Sequence, residues 1–495
     1  MSTPLYPVMD NAVIDYYYFF VPNRLVWSHW AEFLGENKLS AWVSDQEYII
    51  PHESLVSNPG SLLDHFGIPT YSEFLGDEIQ EQPALDVNIL PFRAYWLIWN
   101  EWFRNENVQD PILINTGDDV TVEEYGRLTE ETAYGSSLLN VCKQFDYFTS
   151  ALPAPQKGDA VDIPLGQGLA PVVTGRDVID PEFFGYDMIL TKQDGSTPPD
   201  ARFAVVNYDG TLGYNDTLEA TVEYGSELIP RNLYASLSES NVSVTVNALR
   251  QAFQMQRLLE LQARSGTRYT EIIKASFGVT SPDARLQRPE YLGGKRVDVQ
   301  MQQVTQTSSS DSASPLGHTG AYSKTVSANK DFSQSFTEHG YVIGVMCART
   351  MHTYQQGLHP MWSRRDRYSI YWPTFANIGE QPIYRKQLYA KGDVNDNLVF
   401  GYQEAWAEYR YKPNEVTGAF RSTVNQNLDE WHYADYYDFP PVLSDGWMSE
   451  SPVNVDRTLA VSSELHDQLL FDISVHLNAT RVMPLYSIPG LIDHF

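Results

Sequence analysis

Short runs of β-branched and aromatic residues, each ended by proline, glycine or polar residues, are dispersed along the whole of this 495-residue chain. Runs of that kind, separated by long irregular connections, point to an antiparallel β domain with large loops. Val13-Ile-Asp-Tyr-Tyr-Tyr-Phe-Phe-Val21, stopped by Pro22, predicts a buried strand. Further strands are predicted at 332–336, 340–348, 369–372, 399–411 and 469–477. In the last, Leu469, Phe471, Ile473, Val475 and Leu477 alternate with polar residues, the period of a half-buried strand. Residues 302–314, rich in Gln, Ser and Thr, read as an exposed strand end and loop.

Three segments have helical spacing instead. In 24–34, Val26, Trp27, Trp30, Phe33 and Leu34 form one stripe, with Gly35 placed to end it. In 91–103, Phe92, Tyr95, Trp96, Trp99 and Trp102 recur every three to four residues behind Pro91, which suits a first turn. That aromatic stripe reads as core packing rather than a ligand platform. The clearest helix is 245–264, stopped by Gly266.

The charge balance excludes whole classes of function. Lys and Arg total 34 against 63 Asp and Glu, a net charge of −29. So acidic a surface repels phosphate, which excludes a stand-alone DNA- or RNA-binding protein and a peripheral protein held on anionic lipid. The longest apolar stretch, 341–348, is far shorter than the roughly 20 residues a transmembrane helix needs, so no membrane partner is expected. Asp10 and Asp15 interrupt the apolar residues where a signal peptide would have its core. Cys142 and Cys347 are too few for a disulfide scaffold or a cysteine-rich zinc module, and leave open whether they are bridged. With 31 Tyr, 22 Phe and 11 Trp, the chain suggests extensive subunit contacts or contact with carbohydrate.

Prolines and glycines crowd residues 151–241, leaving only short apolar pieces between them. This is loop and short hairpins, a large exposed insertion centred on 159–240. Enzyme signatures are missing: there is no Gly-x-Ser-x-Gly, His-Glu-x-x-His, Walker loop or Gly-x-Gly-x-x-Gly. The dispersed histidines, His352 among them, read as hydrogen-bonded structural residues. Asp393, Asn395, Asn397 and Glu404 mimic a calcium loop, but Leu398 stands where its glycine should be, so a polar turn is expected. No catalytic residue, metal or cofactor is assigned.

Two basic clusters stand against the acidic background. One is Arg364, Arg365 and Arg367, flanked by Trp362, Tyr368, Tyr371 and Trp372; the other is Arg285, Arg288, Lys295 and Arg296. Arginine among aromatics suits a single-strand platform, where guanidinium meets phosphate and rings stack on bases. It equally suits a protein–protein hot spot, and residue types favour the latter.

Four stretches carry a resemblance: Tyr18-Phe-Phe-Val-Pro-Asn-Arg-Leu-Val-Trp27, Thr267-Arg-Tyr-Thr-Glu-Ile-Ile273, Gln287-Arg-Pro-Glu-Tyr-Leu-Gly-Gly294 and Tyr402-Gln-Glu-Ala-Trp-Ala-Glu-Tyr-Arg-Tyr-Lys-Pro413. Together with the ending Arg481-Val-Met-Pro-Leu-Tyr-Ser-Ile-Pro-Gly-Leu-Ile-Asp-His-Phe495, they resemble the major capsid protein of microviruses, most of all the gokushovirus-like phages. Residues 1–11 look like an internal stretch of that family, so an N-terminal arm and first strand are expected to be missing. The resemblance implies one eight-stranded antiparallel jelly roll with large inter-strand loops and a few short helices. It implies assembly with other copies of itself, in the bacterial host cytoplasm, into a T=1 icosahedral virion shell around circular single-stranded DNA. A small basic DNA-packaging protein, a host cell-surface receptor and a threefold protrusion formed by 159–240 are implied as well.

On that reading Arg364, Arg365 and Arg367 face the DNA, with Arg285, Arg288, Lys295 and Arg296 as second choice. The C-terminal Leu485, Tyr486, Leu491, Ile492 and Phe495 dock in an extended tail, since Pro484 and Pro489 bar regular structure in so apolar a segment. The competing reading is a secreted-type β-rich protein that binds or hydrolyses polysaccharide, using two of the plentiful carboxylates.

Overall fold

A computed structural model describes residues 1–37, 47–70, 84–129, 138–159, 161, 246–308, 312, 315–461 and 468–481, and eight short backbone strands within 71–83 and 162–245. Contacts divide the chain into two compact units, Met1–Pro155 with Gln262–Phe495, and Gln156–Leu261. The described residues form small antiparallel sheets joined by short helices and long connections.

In the first unit the expected aromatic run becomes the central strand Ala12–Pro22, paired antiparallel with Glu290–Asp298 on one side and Gly340–Thr350 on the other. Alternation along the strand puts Val13, Asp15, Phe19 and Val21 on the buried face. Helix Leu90–Ile98, with Pro91 in its first turn, continues into one π turn, Trp99–Phe103. The Trp102 and Phe103 rings meet Phe19 at 5.3 and 5.9 Å. Phe92 and Trp96 are fully buried with Trp27, Leu62 and Leu63 in the same core, each side chain contributing about 1.5–3 kcal/mol. The aromatic stripe is therefore core.

Inside this core lies a charge. Arg93, without solvent exposure, donates to both Glu124 oxygens and to the carbonyls of Gly117 and Asp119. Its fork ties the loop before helix Val122–Thr129 to the aromatic helix. A second core gathers Phe148, Tyr354, Ile383, Leu388, Phe400 and Trp447 around the ladder of Glu380–Tyr384 with Val399–Glu404.

In the second unit three backbone ladders nest in sequence: Val172–Thr174 with Leu233–Ala235, Leu190–Lys192 with Leu228–Pro230, and Ala204–Val206 with Leu212–Tyr214. Helix Val246–Ser265 matches the sequence expectation, and Gly266 ends it at φ +94°. None of its residues is buried, and Val246, Phe253, Met255 and Leu258 stand exposed.

Several expected elements differ. The 24–34 helix is broken into Asn23–Val26 and Trp30–Phe33, because tertiary partners take its middle. Trp27 is extended, its buried indole N–H bonded to Asp118 at 2.7 Å, and Ser28 N–H bonds to the Thr116 carbonyl. Residues 332–336 are not a strand; Phe332 and Phe336 lay their rings on Tyr18 and Phe20 of the central strand. Asp366 caps a 3-10 turn at Arg367–Ser369, replacing the expected 369–372 strand. The 399–411 strand stops at Glu404, followed by Trp406 at φ +65°. Among the described residues, 469–477 join no sheet: their backbone bonds there link only Leu470 to Met1, and the alternating apolar side chains of 471–477 are exposed. An alternating pattern makes a half-buried strand only where a neighbouring strand and a core receive it.

Candidate nucleic-acid interface

The first basic cluster lies on the irregular segment between Pro360 and Phe375, where short 3-10 turns replace regular structure. Asp366 holds the segment's shape by accepting the backbone N–H groups of Tyr368 and Ser369 at 2.9 and 2.8 Å. The Trp372 indole closes it by donating to the Arg367 carbonyl at 2.7 Å. With the backbone bonded internally, the side chains project outward. Trp362, Tyr368, Tyr371 and Trp372 are all exposed, Trp362 at 71 %.

The three arginines are not equivalent. Arg364 is half-buried, lies 4.3 Å over the Tyr409 ring and pairs with Glu408 at 3.3 Å. Arg367 stacks 4.7 Å over Tyr368. Arg365 is exposed and makes no salt bridge with a described residue, which leaves its charge free for an anion. Exposed rings beside free and ring-stacked guanidinium groups can take unpaired bases on the rings and phosphates on Arg365 and Arg367.

The second cluster does not form one patch of free charge. Arg296 forks onto Asp15 at 2.7 and 2.8 Å, and that bond raises its already high pKa further. Arg288 pairs with Asp283 at 3.0 Å and lies 4.1 Å over the Trp102 ring. Lys295 donates to Asn329 and Ser327. Arg285 and Lys295 are exposed with no salt bridge to a described residue, Lys295 being held only by neutral acceptors. Spacing alone did not show that Asp15, 281 residues from Arg296, would be its register partner.

The calcium-like loop is a polar turn: Asp393 caps Asn395 N–H at 2.8 Å, and Asp396 accepts the N–H groups of Lys391 and Gly392. Cys142 and Cys347 are free thiols, and burial pushes the Cys347 thiol up to about 11. His352 is a structural histidine, held between Asp435 and Glu450 at 2.8 and 3.0 Å. Among the described residues no helix is long and apolar enough to cross a membrane. The tail residues Leu485, Tyr486, Leu491, Ile492 and Phe495 lie outside the described residues.

A family model described as capsid protein (F protein) matches residues 1–491. Capsid protein VP1 of Bdellovibrio phage phiMH2K is 40% identical over 502 residues, which cover 100% of this chain and 88% of that protein. Capsid protein VP1 of Chlamydia phage 1 is 37% identical over 545 residues, covering 99% and 88%. Capsid protein VP1 of Spiroplasma virus 4 is 39% identical over 502 residues, covering 99% and 87%. A match along the whole chain is a match of the scaffold and not of one motif, and with it the polysaccharide-enzyme reading falls away. The chain belongs to the capsid protein (F protein) family, and is a structural, non-enzymatic virion protein of the microvirus, gokushovirus-like kind.

Proposed function

We propose that copies of this chain close into a T=1 icosahedral shell around circular single-stranded DNA, each copy built on an eight-stranded jelly roll. The observation that carries the assembly reading is uncovered apolar surface. Leu470, Phe471, Ile473, Val475 and Leu477 are 45–72 % exposed on one extended segment, and helix Val246–Ser265 buries nothing. Isolated soluble chains avoid continuous patches of this kind, whereas a shell subunit has neighbours to cover them.

At −29 per copy the chain repels a genome overall, so its DNA contacts are local and a small basic packaging protein supplies the remaining countercharge. The platform of Arg364, Arg365 and Arg367 faces the interior, where its exposed rings and free guanidinium meet the strand. The Pro/Gly-rich 159–240 insertion projects outward at the threefold axis and meets a host cell-surface receptor. The C-terminal tail, through Leu485, Tyr486, Leu491, Ile492 and Phe495, docks against its own sheet or an adjacent copy.

Electron microscopy of particles from the expressed chain tests this. Closed T=1 shells with the Arg365 platform inside and the insertion outside are expected. A platform on the outer surface refutes the DNA contact, and a monodisperse monomer refutes the assembly.

A further inference from the structure

Strand Gly340–Thr350 is the outer edge of its sheet: among the described residues it pairs with Ala12–Pro22 on one side and with no strand on the other. Antiparallel pairing fixes which backbone groups are left over. Asn23 N–H donates to the His339 carbonyl and Met351 N–H to the Asn11 carbonyl, so the odd-numbered residues from 341 to 349 turn their N–H and C=O groups toward the central strand. The even-numbered residues turn theirs outward. Glu450 takes the Thr350 N–H, and no described residue takes those of Val342, Gly344, Met346 and Ala348.

Natural sheets protect such an edge with a charge, a proline or a bulge. Residues 340–348 hold no charged residue and no proline, and the ladder to the central strand runs its whole length without a shift of register. Val342 and Met346 are exposed on one face of it. An edge this bare is a template for another strand.

The same chain carries the converse, a strand pattern without a sheet. Residues 469–477 alternate apolar with polar side chains, contain no proline, and among the described residues are tied by backbone bonds only at Leu470, to Met1. Within one copy no described backbone bond joins this segment to the free edge, and both stay exposed. The two match in length and in period. A foreign strand would cover the edge and leave 469–477 bare, whereas a second copy settles both at one segment per edge.

We infer that segment 469–477 of a second copy adds to the free edge of Gly340–Thr350 as a fourth, antiparallel strand. Main-chain hydrogen bonds supply the affinity of such an addition and the alternate side chains its register. Matching the apolar faces puts Phe471 opposite Ala348, Ile473 opposite Met346 and Leu477 opposite Val342, so the bulkiest ring meets the smallest side chain. Asp472, the segment's one carboxylate, then falls diagonal to Arg349, the one charged residue of the edge strand. The inference rests on the proposal that copies of this chain assemble, and names one of their contacts.

The test uses two full-length chains, one carrying Met346→Cys and the other Ile473→Cys, co-expressed and mildly oxidised after assembly. Opposed residues of a ladder bring their Cα atoms to about 5.5 Å, within disulfide reach. A covalent dimer holding one of each chain is expected, and a chain carrying both changes should give a series of linked copies. Met346→Pro removes only an outward N–H, which an edge strand tolerates. It should weaken shell formation about tenfold, the loss of one ladder bond per contact, with the thermal midpoint of the unassembled chain unchanged. Met346→Leu should assemble as the wild type does. Shells that form without the cross-link, or as readily in a folded Met346→Pro, overturn the strand addition and leave assembly standing. A cross-link confined within the doubly changed chain overturns the second copy as occupant. A wild-type chain that stays monomeric overturns both readings.

Discussion

Alkaline pH should loosen this protein through one residue, His352. Its ring is 4 % exposed, with Nδ1 facing Asp435 at 2.8 Å and Nε2 facing Glu450 at 3.0 Å. Both nitrogens can donate only in the imidazolium form. Asp435 is further held by the Asn454 amide, and Glu450 by the Thr350 N–H. Burial alone would lower the histidine's pKa, but the two carboxylate hydrogen bonds outweigh it and push it up to about 9. The same bond holds Asp435 below the usual carboxylate range despite its burial.

Because the folded value lies above the unfolded value near 6.5, the folded chain binds the proton more tightly. The stabilisation is therefore complete below about pH 6.5 and is lost as pH rises through about 9, for a total of about 3 kcal/mol at 1.36 kcal/mol per pH unit. Urea unfolding of the full chain and of His352→Gln, from pH 6 to pH 10, reads this directly. The wild type should be more stable by about 3 kcal/mol at pH 6, and the two should converge near pH 10. A gap that stays constant over that range would refute the protonated bridge and leave His352 a neutral packing residue.

Glu124→Gln should cost about 3–5 kcal/mol in chemical unfolding by leaving the Arg93 charge buried without its partner, and Arg93→Met with Glu124→Leu should cost less than the single change. Trp27→Phe keeps the buried ring but loses the bond to Asp118, and should lower stability by about 1 kcal/mol in the same assay. Arg365→Ala should reduce the slope of log affinity against log salt for single-stranded DNA by about 0.7 without moving the thermal midpoint, since its side chain bears on no described salt bridge. Deleting 491–495 removes two or three docking side chains worth on the order of 4–8 kcal/mol, so the yield of intact particles should fall; wild-type yields would show the tail undocked.

The strand Ala12–Pro22, the aromatic helix and helix Val246–Ser265 were legible from local pattern, because side-chain period and breakers act over a few residues. Charge balance argued against a free nucleic-acid binder, missing motifs argued against several enzyme classes but left a polysaccharide enzyme open, and the long C-terminal and Gln287–Gly294 matches pointed to the capsid family. The clustering of exposed rings and guanidinium groups over 362–372 was legible for the same reason, because those residues are neighbours in sequence.

What local pattern left undecided depends on partners far along the chain. Residues 24–34 have a helical stripe, yet Asp118 and Thr116 capture Trp27 and Ser28 and break it. The second basic cluster reads as free charge until strand register sets Arg296 on Asp15 and the π turn slides Trp102 under Arg288. His352 looks like any buried histidine until Asp435 and Glu450, 83 and 98 residues away, meet its two nitrogens. Sequence alone determined which residues want burial and which turns must break, since those preferences belong to each residue and its neighbours. Tertiary structure alone decided which charges are spent and which remain free, since an ion pair depends on a distance that only the folded chain sets.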